Sequence, residues 1–301
     1  MTRILVTGGN GFLGQACVNA LLEAGHDVVS LGRSPRAPEG AQAIACDLLD
    51  PQATRSAIAR AGAECLIHAA WESDARARWN APSNLDWVSS SFALARHFAE
   101  AGGKRFVFVG SCAEYDWSQP LLSETTTPLR PSTLYGAAKA ATGIALNAAA
   151  PSLGFSFAWA RIFFCYGPAE PRGRLLPDLV AELSAGRPIA CTDGLQERDF
   201  LHSADVGTAL ALVATSKIEG AVNIGSGEAV PVKRLIAEVA ELVGNASLIE
   251  MGARARAPDD PPRLVADVSR LAALGFRPRF DLSNGLRDAV HALLSETAPA
   301  R

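Results

Sequence analysis

A tyrosine and a lysine stand four positions apart in the segment STLYGAAKAATG (132–143), which otherwise consists mostly of small residues. Alanine favours helix, and side chains at i and i+4 project from one helix face, so Tyr135 and Lys139 are predicted neighbours. A tyrosine has a pKa near 10, and a nearby cation lowers such a pKa by about 1 to 3 pH units, which would suit proton exchange. By itself the pair also fits a phenol packed on a lysine stem at the surface, so its role depends on what accompanies it.

Ser111 supplies a third polar group. It ends the apolar run RFVFVGS (105–111), which predicts a buried strand, and ligands of parallel sheets bind at the carboxyl ends of the strands. A serine hydroxyl there would hold a carbonyl or alcohol oxygen while Tyr135 gives or takes the proton. We therefore predict that Ser111, Tyr135 and Lys139 are catalytic in a carbonyl or alcohol redox reaction, with the Lys139 ammonium also binding a nicotinamide ribose.

The segment ILVTGGNGFLG (4–14) predicts a dinucleotide site. It places Gly8, Gly11 and Gly14 directly after the first apolar run and into a helix. In this setting the first glycine permits a tight turn, the second lets a pyrophosphate approach the backbone, and the third allows close helix packing. The helix amino terminus supplies N–H donors to phosphate. The further predicted cofactor residues are Asn10, Phe12, Leu13, Ala69, Ala70 and Phe163, together with Tyr135 and Lys139.

The end of the second predicted strand indicates which dinucleotide binds. An NAD site usually has Asp or Glu there for the ribose 2′-hydroxyl, whereas this chain has a glycine and then Arg33, with Ser34 and Arg36 close behind. An arginine can pair with a 2′-phosphate and stack on adenine. The sequence therefore favours NADP over NAD, with Asp47 and Leu48 flanking the adenine.

The elements that must position these residues alternate between strand and helix. Apolar runs occur at 3–8, 27–33, 43–48, 65–70, 105–111 and 155–167, and helical stretches lie between them at 12–24, 51–61, 83–101 and 132–150. Continuous apolar strands that alternate with helices indicate a parallel sheet covered on both faces. We predict an α/β fold, a Rossmann-type doubly wound parallel sheet with a smaller, discontinuous carboxy-terminal substrate lobe. The predicted division is 1–166 plus about 200–226 for the NADP-binding domain, and about 167–199 plus 227–301 for the lobe.

The composition of the chain indicates which kinds of binding partner are not expected. The chain has 301 residues, a net charge of −3 and no basic run, so neither a nucleic-acid partner nor a membrane surface is expected. Its six cysteines are scattered without a C-x-x-C pair, which is typical of a reduced, cytoplasmic protein without a zinc site or other metal centre. One uncharged stretch, 140–160, contains Asn147, Pro151 and Gly154, and it reads as a helix end, a turn and a strand.

The order of these segments resembles that of the extended short-chain dehydrogenase/reductase family over almost the whole chain. TGGNGFLG, Ser111 and YGAAK match the family's turn, serine and tyrosine–lysine pair. The later landmarks are RIFFCYGP (161–168), RDFLHSADV (198–206), NIGSGE (223–228) and RLVADVSRLAALGFRP (263–278). The resemblance implies an NAD(P)-dependent nucleotide-sugar epimerase, dehydratase or reductase that forms a homodimer. It also implies that Arg198 and Arg263 hold the substrate diphosphate and nucleotide.

The chain departs from the family pattern at several predicted substrate residues. Cys112 and Ala113 stand where the family's 4,6-dehydratases have an acidic pair, so elimination of water is not expected. Phe164 replaces an asparagine of many epimerases, which alters one substrate contact. Trp71 and Trp117 fall in loops that should border the pocket, where each is either a sugar or base contact or loop packing. Cys112 is either a second acid or a small neutral residue.

These observations lead to one main prediction and to alternatives. The main prediction is an NADPH-dependent reductase of a nucleotide-activated 4-keto-6-deoxyhexose, in which Tyr135 donates the proton to the sugar ketone. The alternative is a nucleotide-sugar 4-epimerase with tightly bound NAD, against which Arg33 weighs. A further alternative is a non-catalytic NADP-binding sensor or scaffold, and reduction of a non-sugar carbonyl also stays open because fold does not determine substrate.

Overall fold

The structure is a computed structural model that describes residues 1–72, 74 and 77–297. Its strands are β1 (Arg3–Thr7), β2 (Asp27–Gly32), β3 (Gln42–Ala45), β4 (Cys65–His68), β5 (Arg105–Ser111), β6 (Leu121–Leu122), β7 (Ser156–Ile162), β8 (Phe164–Tyr166), β9 (Ile189–Ala190), β10 (Glu197–Arg198), β11 (Phe200–His202), β12 (Gly220–Ile224), β13 (Val230–Pro231), β14 (Ile249–Glu250) and β15 (Arg263–Ala266). Its helices are α1 (Phe12–Glu23), α2 (Pro51–Ala61), α3 (Ser83–Glu100), α4 (Leu134–Leu153), α5 (Leu175–Ser184), α6 (Ser203–Thr215), α7 (Val232–Val243), α8 (Ser269–Ala273) and α9 (Leu282–Thr297). Short 3-10 turns lie at Ala77–Trp79, Cys112–Glu114 and Ala246–Leu248.

The main sheet has seven parallel strands in the order β12-β7-β5-β4-β1-β2-β3. Helices α1 and α6 cover one face, and α2, α3 and α4 cover the other, which explains why the central strands are apolar on both sides. The strand order reverses at β1, which lies between β4 and β2, and such a reversal opens a ligand crevice at the carboxyl ends of the strands. The predicted doubly wound, Rossmann-type sheet is confirmed.

Helix α4, which carries the tyrosine–lysine pair, is longer than the sequence predicted. It continues through Pro151 to Leu153 and stops at Gly154, whose φ of +75° is left-handed. A proline in the last turn removes only one backbone hydrogen bond, so it does not end the helix there. The Gly154 N–H instead bonds to the carbonyls of Ala150 and Pro151, which makes the glycine the stop signal.

The apolar run predicted as one strand over 155–167 is divided between two sheets. Strand β7 ends in the main sheet, whereas β8 pairs with β11 in a separate two-stranded sheet. Phe163 lies between them, and its N–H donates to the Ile224 carbonyl at 3.0 Å. The chain therefore leaves the main sheet at the carboxyl ends of its strands, which is the edge where a ligand is expected.

Helices α5, α7 and α9 enclose a second apolar core that includes Leu179, Leu235 and Leu286. Between them in sequence, α6 packs on α1 and β12 joins the main sheet beside β7. The division into a dinucleotide domain and a substrate lobe at the boundaries given above stays a prediction.

Within residues 1–72, 74 and 77–297, every helix is too short or too polar to cross a lipid bilayer. Over the same residues, no three His, Cys, Asp or Glu side chains come together as a metal site would require. The six cysteines are buried free thiols.

Candidate active site

The turn between β1 and α1 depends on glycines, because it leaves no room for a Cβ at two positions. Gly8 has a φ of +71°, and a Cβ there would lie 2.9 Å from the Ala70 Cα. A Cβ on Gly14 would lie 2.0 Å from the Gly8 carbonyl oxygen, so only glycine lets α1 come this close to the turn. Gly11 caps α1 without a side chain bonded to the first helical turn. The backbone N–H groups of that turn are thus available to an anion, and the cradle fits a dinucleotide pyrophosphate.

A cavity of about 1420 Å³ extends from this turn across the sheet edge to the carboxy-terminal helices. Pockets for one drug-sized ligand measure about 300–1,000 Å³, so this cavity has room for a dinucleotide and a second molecule. The predicted cofactor residues that line it are Gly8, Asn10, Gly11, Phe12, Leu13, Gly14, Arg33, Ser34, Asp47, Leu48, Ala69, Ala70, Tyr135, Lys139 and Phe163. Arg36 is exposed outside this lining, and its carbonyl accepts a hydrogen bond from the Asn10 side chain.

Ser111 is held in place by the 3-10 turn that follows β5. Its hydroxyl accepts a hydrogen bond from the Ala113 N–H at 3.2 Å, and its own N–H donates to Glu114 Oε1 at 2.8 Å. Hydrogen bonding from the Ser111 side chain also lowers the pKa of the Tyr135 phenol. The structure therefore brings this serine and this tyrosine together at the carboxyl end of β5.

The first turn of α4 presents Tyr135 to the cavity. The Thr133 side chain caps the helix by accepting a hydrogen bond from the Gly136 N–H at 3.1 Å. A Cβ on Gly136 would lie 2.2 Å from the Ala113 carbonyl oxygen, so α4 can lie against the turn after β5 only because glycine occupies this position. The small residues around the tyrosine thus allow the contact between Tyr135 and Ser111.

Lys139 is buried, and its Nζ contacts a backbone carbonyl and an aromatic ring. Nζ donates to the Val109 carbonyl at 2.7 Å and lies 3.9 Å from the centre of the Trp71 ring. Burial lowers the pKa of Lys139 to about 7, although the Glu114 carboxylate acts in the opposite direction. The predicted role of Lys139, to supply charge that acidifies Tyr135, stays a prediction.

A second cation, Arg78, also lies beside the phenol. Burial raises the pKa of Tyr135, and the Arg78 charge opposes this rise, as does the hydrogen bond with Ser111. Cζ of Arg78 lies 5.6 Å from the centre of the Tyr135 ring, and Trp79 meets the same ring edge-on at 5.6 Å. Sequence reasoning missed Arg78, because the segment ARARW carries no spacing that ties it to a tyrosine more than fifty residues away.

The two arginines predicted to hold the substrate lie on opposite faces of neighbouring strands. Arg198 lines the cavity, forms an ion pair with Asp260 and donates to the Pro261 carbonyl at 2.9 Å. Arg263 is exposed, lies outside the cavity lining and pairs with Glu197 at 3.2 Å. Strand register explains the difference: Arg263 is paired with Glu197 rather than with Arg198, and adjacent residues of a strand point to opposite faces.

The remaining predicted substrate residues also line the cavity. The indole N–H groups of the two tryptophans are hydrogen-bonded, and the cysteine thiol is uncharged. Nε1 of Trp71 donates to Asn84 at 2.8 Å, and Nε1 of Trp117 donates to the Cys112 carbonyl at 2.9 Å. Burial raises the pKa of Cys112 to about 12, so its thiol is neutral near pH 7, which favours a small neutral residue over a second acid. Phe164 lines the cavity and packs edge-on against Phe200.

Fold and site together define a nicotinamide-dependent enzyme with chemistry of the oxidoreductase type. The model of the NAD dependent epimerase/dehydratase family matches residues 4–225, and the chain belongs to that family. The resemblance to extended short-chain dehydrogenases/reductases is thereby confirmed, and a non-catalytic sensor is not supported.

Three relatives illustrate the likeness. A UDP-glucose 4-epimerase of Corynebacterium glutamicum is 27% identical over 314 residues, covering 95% of this chain and 94% of its own. A dTDP-6-deoxy-L-talose 4-dehydrogenase (NAD(+)) of Aggregatibacter actinomycetemcomitans is 26% identical over 232 residues, covering 75% of this chain and 85% of its own. The solved structure of MoeE5 in complex with UDP-glucose and NAD is 30% identical, covers 98% of this chain and 100% of its own, and has a TM-score of 0.85.

Proposed function

We propose that this protein is a nucleotide-sugar 4-epimerase. The observation that carries the proposal is that Tyr135 and Ser111 interact in the cavity lining, where Cys112 and Ala113 follow the serine. Inversion at one carbon needs a single group that removes and returns a hydroxyl proton, which Tyr135 can do. Elimination of water would need a further acid and base, and a neutral thiol and a methyl group provide neither.

The chain's own residues divide the work of this reaction. When bound, the nicotinamide supplies a group that takes up and gives back a hydride. Tyr135 takes the proton of the C4 hydroxyl as that carbon becomes a carbonyl, and it returns the proton after the sugar has presented its other face. Ser111 hydrogen-bonds the same oxygen and keeps it beside the phenol. Arg198, which lines the cavity, would hold the substrate diphosphate while the sugar turns.

Relatives support action at C4 more strongly than they support the reductase that we first predicted. The C. glutamicum protein is named as a 4-epimerase, and its likeness extends over almost the whole of both chains. A 4-keto-6-deoxyhexose reductase remains a second candidate, because the A. actinomycetemcomitans relative is named as a 4-dehydrogenase of a 6-deoxy sugar nucleotide. Both candidates use the same carbon and the same tyrosine.

We further propose that the cofactor is NADP. Arg33 and Ser34 line the cavity directly after β2, and a glycine occupies the last position of that strand. Their side chains suit a 2′-phosphate, whereas an NAD site has a carboxylate there. The 2′-phosphate belongs to the adenosine end of the dinucleotide, so Arg33 can select the cofactor without determining the reaction at the nicotinamide. MoeE5 was solved with NAD, so this proposal rests on the residues of the present chain.

The test is to incubate the cofactor-loaded protein with UDP-glucose, then with other sugar nucleotides, while NMR follows the sugar and absorbance follows the nicotinamide. UDP-glucose comes first because the names of two relatives contain it. We expect a C4 epimer with no net change in nicotinamide absorbance. Stoichiometric NADPH oxidation by a 4-keto-6-deoxyhexose substrate, without an epimer, would favour the reductase instead.

The matched control is Tyr135→Phe, which removes the hydroxyl and keeps the ring. Loss of a general acid–base group typically costs about 10²- to 10⁴-fold in rate, so we expect turnover to fall in that range. Cofactor binding, measured by fluorescence titration, should stay close to that of the wild type. Near-normal turnover of the variant would contradict the assigned role.

A further inference from the structure

Asn84, which is fully buried at the start of α3, forms hydrogen bonds with three residues that lie between β4 and α3. Its side-chain oxygen accepts a hydrogen bond from Trp71 Nε1 at 2.8 Å, and its amide donates to the carbonyls of Arg78 at 2.7 Å and Ala81 at 2.8 Å. These bonds fix the backbone of Arg78 relative to Trp71, whose ring covers the Lys139 ammonium. Asn84 therefore connects the two residues that contact Tyr135 and Lys139 on α4.

Arg78 lies against the tyrosine that exchanges the proton. Its Cζ is 5.6 Å from the centre of the Tyr135 ring and 5.1 Å from that of the Trp79 ring. Both distances are within the range of about 6 Å over which a guanidinium and an aromatic ring attract each other. Because Trp79 also contacts Tyr135 edge-on, the cation, the indole and the phenol form one cluster.

The charge of Arg78 is not neutralised by an acid in the described part of the chain. Arg78 forms no ion pair there, and its buried Nε has no hydrogen-bond partner among those residues. Glu170 is near enough to feel the charge, but its carboxylate already accepts a hydrogen bond from Arg174 at 2.6 Å. A cation without its own counter-ion, in partly buried surroundings, favours the negative form of a neighbouring group.

We propose that Arg78 is a positioning residue that holds the Tyr135 ring and stabilises the phenolate while the proton is on the substrate side. The proposal rests on Tyr135 as the acid–base group of the proposed function, but it does not depend on which sugar is the substrate. Lys139, which is bonded to Val109 and covered by Trp71, keeps its predicted roles beside the cofactor and the phenol.

Other groups also face the phenol, and they come from different elements. Glu114 and Cys112, in the turn after β5, disfavour its ionisation, and Ser111 hydrogen-bonds it. Lys139 follows one helical turn later on α4 itself. Arg78 comes from the loop after β4, so its replacement leaves these residues in place; its charge also acts on Lys139, whose pKa it lowers.

The test measures the ionisation of Tyr135 directly. The chain contains three tyrosines, so full-length protein labelled with carbon-13 at tyrosine Cζ gives three signals, and Tyr135→Phe identifies the relevant one. The pH titration of that signal is recorded for the wild type and for the variants Arg78→Met, Arg78→Gln and Arg78→Lys. Arg96→Gln, on an exposed position of α3, is the control that removes one positive charge elsewhere.

We expect the Tyr135 signal of Arg78→Met and Arg78→Gln to titrate at least about 1 pH unit higher than in the wild type. Arg78→Lys should restore most of the difference, and Arg96→Gln should leave the titration unchanged. If the charge-removing variants are folded and titrate like the wild type, the proposal is overturned. The signal reports Tyr135 alone, so a failed search for an epimer contradicts the proposed function and leaves this result standing.

Discussion

At the scale of single residues, the groups that we propose for proton exchange and those that we propose for cofactor recognition occupy different places in the cavity. Tyr135 and Ser111 lie beside the end of β5, whereas Arg33 and Ser34 follow β2. In the sheet order β5-β4-β1-β2 these strand ends are three strand spacings apart, roughly 14 Å. Substitutions at the two places should therefore affect turnover and cofactor choice separately.

Replacement of Arg33 by glutamate should reverse the cofactor preference. The carboxylate would repel a 2′-phosphate and accept a hydrogen bond from the 2′-hydroxyl of NADH. Loss of a charged hydrogen bond costs about 1.5–3 kcal/mol, so we expect NADPH to bind at least about tenfold more weakly. Dissociation constants of both cofactors, measured by fluorescence for wild type, Arg33→Glu and Arg36→Glu, give the answer. Arg36 lies outside the cavity lining, so Arg36→Glu should change the two dissociation constants less than Arg33→Glu does. A wild type that binds NADH more tightly than NADPH would refute the NADP assignment.

At the scale of elements, a buried ion pair connects β7 to the turn that holds Ser111. Arg161 Nε donates to Glu114 Oε2 at 2.9 Å, with both side chains at most 4% exposed. The other Glu114 oxygen accepts hydrogen bonds from the Ser111 N–H at 2.8 Å and from Trp159 Nε1 at 3.2 Å. Even so, burial raises the pKa of Glu114 to about 7. The position of Ser111 thus depends on the ion pair between Glu114 and Arg161, because Glu114 also binds the Ser111 N–H.

The Arg161→Met variant should be destabilised by about 3–5 kcal/mol, because it leaves a buried carboxylate without its cation. The loss should depend on pH. A carboxyl whose pKa is raised on folding contributes stability that is present below its unfolded pKa, near 4.5, and is lost as pH rises through its folded pKa, about 7. Removal of Arg161 raises that folded pKa further, so the variant should lose more stability at about pH 8 than at about pH 6.

Urea unfolding at the two pH values measures this effect. Glu114→Gln combined with Arg161→Met, which removes both charges, should recover part of the stability. An Arg161→Met variant with wild-type stability at both pH values would show that the pair does not hold the turn.

The sequence predicted those elements whose pattern is local. The glycine turn, the alternation of apolar strands and helices, and the i, i+4 pair on α4 each follow from short stretches of chain. Arg78 could not be foreseen, because its place beside Tyr135 depends on buried hydrogen bonds from Asn84 to a loop without a repeating pattern. The outward position of Arg263 depends on strand register, and a shift of one residue reverses the face to which a side chain points.

At the scale of the whole molecule, the cavity lies between the carboxyl ends of the main-sheet strands and helices α5 and α7. Strand ends supply the residues around Tyr135, and Leu176 of α5 and Val232 of α7 line the other wall. A bound molecule would therefore contact both apolar cores, which agrees with a cofactor on one side and a substrate on the other. The homodimer and the cytoplasmic location stay predictions.

Helices α3 and α4 offer a surface for the predicted dimer. Leu85 on α3 is 59% exposed and Ile144 on α4 is 54% exposed. If two copies pair across these helices, Ile144→Glu should convert the dimer to a monomer, since a buried carboxylate without a partner is costly. Leu195 is 56% exposed and lies outside α3 and α4, so Leu195→Glu should leave the dimer intact. Light scattering measures the mass, and a monomeric wild type would contradict the dimer prediction.

The central claim is inversion at C4 through a single proton-exchanging tyrosine. The most direct measurement is NMR of the cofactor-loaded protein incubated with a sugar nucleotide that carries deuterium on C4. Our account predicts that the C4 epimer forms, that it keeps the deuterium on the inverted carbon, and that Tyr135→Phe slows its formation about 10²- to 10⁴-fold. An epimer whose deuterium has been lost to water, or oxidation of added NADPH without any epimer, would contradict it.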